Sequence, residues 1–570
     1  MLEGDGFRQG EGAVPRMTGA DLLLRALKQK GVSHLFGLCG DHVNPLFVAA
    51  RRHGIGIVDV RHEAAAVHMA DGWARVTGRP GVSVVTGGPG HTNSLTGVAT
   101  AAAAGSPVIA ISGSYEVAQE GRLAFQELDQ VALMRPVTKS ARLVTETARL
   151  PEIVAAAFRE ALAGRPGPVH LSIPLSALSR EVDASSAETE TPPPIPPHPD
   201  PAAVREVVDR LAASERPACV VGSGGFWARA GDALTRFAET TRTPCFTIDL
   251  ARGLIPDDHP LCFGYADPIL NETARALRAA DLVLLVGKRL DFRLKFGGSE
   301  VFDPDAVIVQ IDIDPAEIGR NRPIQVPVVA DAAAALDALT EEAARRGGWP
   351  ARPWLEQLRR QQKAWRDSWA EGEASEEAPL HPLRVCREVR ALLPEDGVVV
   401  IDGGDFPQWP RMTLPARRPG HWIRLGGLGT VGAALPLGLA AKLAHPEAPV
   451  FIFMGDGGMG FYGLEMHTAV RLGLSAVIIV GNDQGWGMER EIQGALYGRE
   501  QIAGCDLGLV RYDEIMRALG GHGEFVERPA DLRSALTRAL ASGKPAVVNV
   551  LIRKGTVSPL TAASIAAKRS

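Results

Sequence analysis

The stretch "GDGGMGFYGLEMHTAVRLGLSAVIIVGNDQGWGM", Gly455 to Met488, decides how the rest of the chain is read. It follows the apolar run "VFIFM" and contains a second, "AVIIV". Each run leads to an acid: Asp456 among glycines after the first, Asp483 beside Asn482 after the second. Unbroken apolar runs of this length predict strands buried on both faces, hence a parallel sheet covered by helices. The residues between them predict a helix that returns the chain to the same edge. Gly455, Gly457 and Gly458 let backbone N–H groups approach an anion closely, and a helix N-terminus favours negative charge. Asp456 would repel a bare phosphate. An acid beside such a cradle makes sense when a hard cation bridges the two. Asp456 and Asp483 would then share one Mg²⁺ with a diphosphate. The alternative is that both acids cap turns or helices.

The same alternation of apolar runs and helix-like stretches recurs along all 570 residues. "GVSVVTGGPG", "SPVIAISG", "PACVVGSGG", "DLVLLVG", "AVIVQIDID" and "GVVVIDGGD" all read as buried strands. The expected fold class is therefore α/β, with three doubly wound parallel-sheet domains over residues 17–182, 202–350 and 383–552. The proline-rich "DASSAETETPPPIPPHPDP" is a linker over 183–201, and 351–382 reads as a helix followed by a second break. Residues 1–16 are expected to be a mobile tail, and 553–570 a C-terminal tail that could act as a lid. In such domains ligands bind beyond the carboxyl ends of the strands, where the glycine-rich turns fall.

Composition narrows the function classes. A net charge of −5 argues against a nucleic-acid binder. Six scattered cysteines without a CxxC pair argue against a disulfide framework or a zinc site, and for a reducing, cytoplasmic setting. The N-terminal residues lack the apolar core of a signal peptide, and no apolar run reaches membrane length.

The opening stretch resembles the thiamine diphosphate motif, which runs from GDG to a pair of asparagines. "RHEAAAVHMADGWARVTGRPGV", "GGPGHTNSLTGVATA", "FQELDQ" and "GGLGTVGAALP" extend the resemblance over nearly the whole chain. The superfamily is that of acetolactate synthase, benzaldehyde lyase, oxalyl-CoA decarboxylase and 2-hydroxyacyl-CoA lyase. The resemblance implies an aminopyrimidine-binding first domain, a nucleotide-binding-like central domain and a diphosphate-binding third domain. Metal ligands would be Asp456, Asp483 and the carbonyl of Gly485, with Asp483 standing where the family has its second asparagine. Glu63 would share a proton with the aminopyrimidine, Val431 would prop the bent cofactor, and Gly429 would offer its carbonyl to the amino group. Asn93 would lie near the cofactor or cap a helix.

His42 in "FGLCGDHVNPLF" resembles a substrate-facing histidine of benzaldehyde lyase, although that enzyme's second histidine falls at Cys39 here. Gln126 would orient the substrate, and Glu489 or Glu491 would face it from a helix over the site. Arg289, Arg293 and Asp312 would touch a nucleotide in the central domain, with ADP or the adenine part of coenzyme A ahead of FAD. Together these imply a thiamine diphosphate- and Mg²⁺-dependent carbon–carbon lyase or carboligase, at least a homodimer and by family habit a homotetramer. The favoured reaction splits a 2-hydroxyacyl-CoA into an aldehyde or ketone and formyl-CoA. Two readings stand beside it: an acetolactate synthase-like or benzaldehyde lyase-like enzyme acting on 2-oxoacids or acyloins, and a non-catalytic nucleotide-sensing relative.

Overall fold

The computed structural model describes residues 16–183 and 195–569. Most of the expected N-terminal tail and of the proline-rich linker lie outside these residues. Three six-stranded sheets carry the architecture, and every strand pair within them is parallel. The central strands are the apolar runs: Val108–Ser114, Leu282–Val286, Val450–Gly455 and Val477–Asn482. Nearly every residue in them is buried, because helices cover both faces.

Strand order separates the three units. Counted along the chain, the first and third sheets both run two-one-three-four-six-five. The central sheet runs three-two-one-four-five-six, the order of a dinucleotide-binding fold. In each, the order reverses beside the unit's first strand and opens a crevice at the strands' carboxyl ends. For the first sheet the crevice lies after His34–Gly37 and Gly81–Val85. For the central sheet it lies after Pro217–Val221 and Leu282–Val286, and for the third after Val398–Ile401 and Val450–Gly455.

The first unit is closed by a small antiparallel pair, Arg16–Thr18 with Glu181–Asp183. Arg16 thus opens a strand. The chain's other end also gains structure: Pro559–Arg569 is a helix. Its start is fixed by Asp405, which accepts the Ser558 N–H at 2.9 Å and the Thr561 hydroxyl. Its last turn donates from Arg569 to the carbonyl of Ala495 at 2.6 Å. Residues 553–569 therefore rest on the third unit.

The first and third units meet through small residues. Helix Glu63–Thr77 lies against helix Ala434–Ala444, and a Cβ added at Gly72 would stand 2.9 Å from the Leu437 backbone. The Ala440 Cβ lies 3.1 Å from the same point, and Ala65, Ala66 and Ala70 are buried in the same core cluster. Arg75 is buried with Asp71 and passes a further hydrogen bond, 2.8 Å, to the carbonyl of Arg424.

A second tie is a single carboxylate. Glu465, 1% exposed, accepts the backbone N–H groups of Arg61 at 2.9 Å and His62 at 3.1 Å, and the Thr468 hydroxyl at 2.6 Å. It thereby clamps the turn that delivers Glu63. Glu465→Ala removes the acceptor of two part-buried backbone donors and of the buried Thr468 hydroxyl, so it is expected to lower stability by about 1–3 kcal/mol, with a smaller loss for Glu465→Gln. Urea unfolding of both variants against the parent measures this, and an unchanged midpoint for the alanine variant would contradict the clamp.

Candidate active site

The acids at the ends of the third sheet's central strands come together. Asp456, 2% exposed, begins helix Asp456–Tyr462, and neither of its carboxylate oxygens has a hydrogen-bond partner. Burial, reinforced by the facing Asp483, pushes its carboxyl up to about 7. Asp483 is also raised by burial, against the pull of Arg490, whose guanidinium grips its Oδ2. The carbonyl edge of Gly485 follows two residues on, where Gly485 bridges to Asp506.

Above these acids runs the loop from Gly426 to Val431. Gly429 takes a φ of +73°, and a side chain there would meet nothing within 4 Å, so its backbone borders open space. Gly455 borders open space in the same way, whereas side chains at Gly457 and Gly458 would strike Trp486 and Asp402. Val431 stands over Gly403 and Gly458, within 3.1 and 3.5 Å of where their Cβ atoms would be. The loop is held by Asp402, which accepts the Gly432 N–H at 2.9 Å and whose carboxyl burial raises to about 7.

A second set gathers at the first sheet's crevice. Glu63 opens its helix, is 9% exposed, and receives the Asn93 amide on Oε2 at 3.0 Å. Its other oxygen faces Gly90. His42, 8% exposed, shares a hydrogen bond of 3.0 Å between Nδ1 and the Thr86 hydroxyl. Gln126, with a left-handed φ of 60°, leans over Gly88, where any Cβ would lie 2.7 Å from its own. Glu63, Asn93, His42 and Gln126 are thus neighbours of one glycine-rich turn, Thr86–Gly90. That turn rests on a buried polar layer: Gln130 accepts the Gly88 N–H at 3.2 Å, and Ser112 lies between His91 at 3.0 Å and His170 at 3.1 Å.

The helix carrying Asn93 reaches the loop of the third unit through Thr100 and Thr430, whose hydroxyls are 2.7 Å apart. Among the described residues no hydrogen bond joins Glu63 or Asn93 to Asp456 or Asp483. Glu491 does not join either set. Its carboxylate is held by Arg499 at 3.1 and 2.7 Å, while Glu489 is exposed.

At the central crevice lies a cavity of about 820 Å³, lined by Ser223, Gly224, Lys288, Arg289 and Asp312 and, from the first unit, Arg165. Arg165 and Arg289 each donate to the carbonyl of Ala103 at 3.4 Å. Burial, reinforced by the nearby Arg289, holds Arg165 below the usual arginine range. Burial raises Asp312 to about 6. Arg293 instead borders a smaller adjoining cavity and pairs with Asp249 at 3.2 Å.

The residues present fit the implied cofactor and metal. Two unpartnered buried oxygens on Asp456, a second carboxylate and a main-chain carbonyl make an all-oxygen donor set suited to Mg²⁺. The bare backbone at Gly455 and Gly429 leaves room for a ligand. Several supporting residues escape a reading of the sequence. Asp402 stands in the quoted "VVVIDGGD" but carries no spacing that marks it, and Arg490 sits unremarked between Glu489 and Glu491.

The raised Asp456 carboxyl has a signed consequence. Between an ordinary aspartate value and about 7 the folded apoprotein holds a proton that the unfolded chain releases, so this group's contribution to stability falls as pH rises through that window. Asp456→Asn is expected to flatten that part of the profile, by a few kcal/mol at most. Apoprotein melting curves from pH 4.5 to 8 compare the two, and parallel profiles would contradict the assignment.

Likeness to known proteins bears on this arrangement. The N-terminal TPP binding domain of thiamine pyrophosphate enzymes matches residues 17–133, the central domain 204–339 and the C-terminal TPP binding domain 402–550. The chain is 36% identical over 540 residues to a probable acetolactate synthase of Mycobacterium bovis, covering 94% of this chain and 96% of the relative. It is 33% identical over 580 residues to 2-hydroxyacyl-CoA lyase 2 of Bos taurus, at 94% and 90% coverage. It is 30% identical over 570 residues to 2-hydroxyacyl-CoA lyase 1 of Mus musculus, at 97% of each. With all three domains matched in order and full-length relatives on this scale, the chain belongs to the thiamine pyrophosphate enzyme family.

Proposed function

We propose that the protein is a thiamine diphosphate- and Mg²⁺-dependent carbon–carbon lyase or carboligase that acts on a 2-hydroxyacyl-CoA and releases an aldehyde or ketone and formyl-CoA. The observation that carries the substrate class is the paired guanidinium groups of Arg165 and Arg289 in the central cavity. Two like charges converging on one carbonyl suit a multiply charged phosphate. The adjoining cavity shares Ala104, Ser223, Asp249, Arg289 and Asp291 with it and extends to Gly426 and Gly427, next to the Gly429–Val431 loop. A nucleotide-bearing thioester has that reach: its adenine end in the central cavity, its acyl end toward the third unit's loop. ADP would take the same end of the cavity.

The bound cofactor supplies an electron sink for the pair left when a carbon–carbon bond breaks. The chain's residues do the rest. Asp456, Asp483 and the Gly485 carbonyl would hold Mg²⁺ against the diphosphate, and Val431 and the Gly429 carbonyl would shape and orient the rings. Glu63 would hold the proton shared with the aminopyrimidine, and Asn93 fixes its second oxygen. His42, steadied through Nδ1 by Thr86, would present Nε2 to a substrate hydroxyl, and Gln126 would orient the same substrate. A second copy of the chain would bring its own Asp456 set to Glu63, which makes a homodimer the smallest active form.

The second reading is a synthase that decarboxylates a 2-oxoacid to form acetolactate or an acyloin. The 36%-identical mycobacterial relative bears that name.

Incubating the holoenzyme with a panel of 2-hydroxyacyl-CoAs and with pyruvate, and following products by mass spectrometry, separates the two. Formyl-CoA with the matching aldehyde is expected; acetolactate from pyruvate alone would transfer the assignment to the second reading. Glu63→Gln should lower turnover by about 10²–10⁴ while the purified protein keeps its cofactor. Arg165→Ala with Arg289→Ala should raise KM for the CoA thioester at least about tenfold and spare activity on small CoA-free acyloins. Equal loss on both substrates would argue against a nucleotide subsite.

A further inference from the structure

Asp483 departs from the asparagine that the family motif places there, and the departure has a partner. We infer that Arg490 is a positioning residue that cancels the extra charge of Asp483, so that a site built on two carboxylates still accepts a diphosphate with its Mg²⁺. The inference rests on the assignment of Asp456 and Asp483 to metal binding.

Arg490 and Asp483 form an ion pair whose side chains are 8% and 14% exposed, so solvent screens it little. The guanidinium also follows the main chain. Its Nη1 lies 3.4 Å from the Asp483 carbonyl, and a Cβ added at Gly485 would stand 2.8 Å from the same nitrogen. Arg490 therefore contacts two of the three ligand-bearing residues and occupies one oxygen of Asp483, leaving Oδ1 for a metal. Its other anionic neighbours bind it weakly. Glu491, 3.8 Å away, is taken by Arg499, and Asp506, 3.7 Å away, is 75% exposed. Gly487 completes the fit, since a side chain there would press on the Asp483 carboxylate.

The electrostatics explain why such a pair is needed. One carboxylate with Mg²⁺ leaves a net positive charge toward the diphosphate, and a second carboxylate removes it. A buried guanidinium on that second carboxylate restores it.

The charge assignment has a signature that mechanical support lacks. Without Arg490 the bare pair of acids should bind a cation more tightly and a diphosphate less tightly. The test titrates apoprotein with Mn²⁺ alone, read by electron paramagnetic resonance, and then with thiamine diphosphate at fixed Mg²⁺, read by calorimetry. R490M is expected to bind Mn²⁺ about tenfold more tightly and thiamine diphosphate about tenfold more weakly, the lower range for close charge pairs. R490M/D483N should bring both constants back toward the parent, and R490K, which keeps the charge, should shift neither in this opposed way. Should R490M alone not fold, recovery of folding and of both constants in R490M/D483N supports the same pairing. Weakening of both ligands by R490M without recovery in the double variant would overturn the inference, as would no change in either. D456N leaving Mn²⁺ affinity unchanged would overturn the metal-site assignment itself, and this inference with it.

Discussion

The close approach of helices Glu63–Thr77 and Ala434–Ala444 is the constraint on which the rest of the structure depends. Gly72 leaves no room for a side chain against Leu437 and Ala440 of the facing helix. Dispersion at short range holds such a seam, and it tolerates no added methyl group without displacement. Because Glu63 starts one of these helices, the seam also fixes where its carboxylate stands relative to the third unit. Glu465 adds a polar pin at the same end, and the Asp71–Arg75 pair adds another further along.

Chemistry in this fold collects where strand order reverses. The first crevice gathers groups that can hold or orient a proton: Glu63, Asn93, His42 and Gln126. The third gathers acids and bare backbone. The central crevice gathers arginines and an aspartate raised by burial. Each set is held by residues that face away from the open space, such as Thr86 behind His42, Asp402 behind the Gly429 loop and Arg490 behind Asp483. The site thus combines solvent-like groups in front with a rigid polar backing behind.

Much of this was legible in the sequence, for a physical reason. Strands buried on both faces are written as continuous apolar runs, so "VFIFM" and "AVIIV" announce themselves and carry Asp456 and Asp483 to the correct edge. Short strands such as Cys245–Thr247 and Trp422–Arg424 have too few residues to show a period. Strand order, which distinguishes the central sheet from the other two, is set by packing among distant segments and leaves no local pattern. The same holds for the site. Residues at strand ends are readable by position, and the family resemblance implies roles for them. Arg490, Asp402 and Glu465 act through partners that only folding brings near. Glu491 illustrates the converse: its place on a helix beside the site was readable, but not that Arg499 would claim its carboxylate.

The small pairing of Arg16–Thr18 with Glu181–Asp183 has a consequence for the history and handling of the molecule. The chain enters and leaves its first unit through adjacent, hydrogen-bonded strands. A segment whose two ends lie side by side can be cut out, duplicated or spliced into another chain without stretching its neighbours. The first and third sheets share one strand order. A portable unit of that kind, copied and then diverged, gives two crevices at corresponding places in their sheets, each free to carry its own side chains.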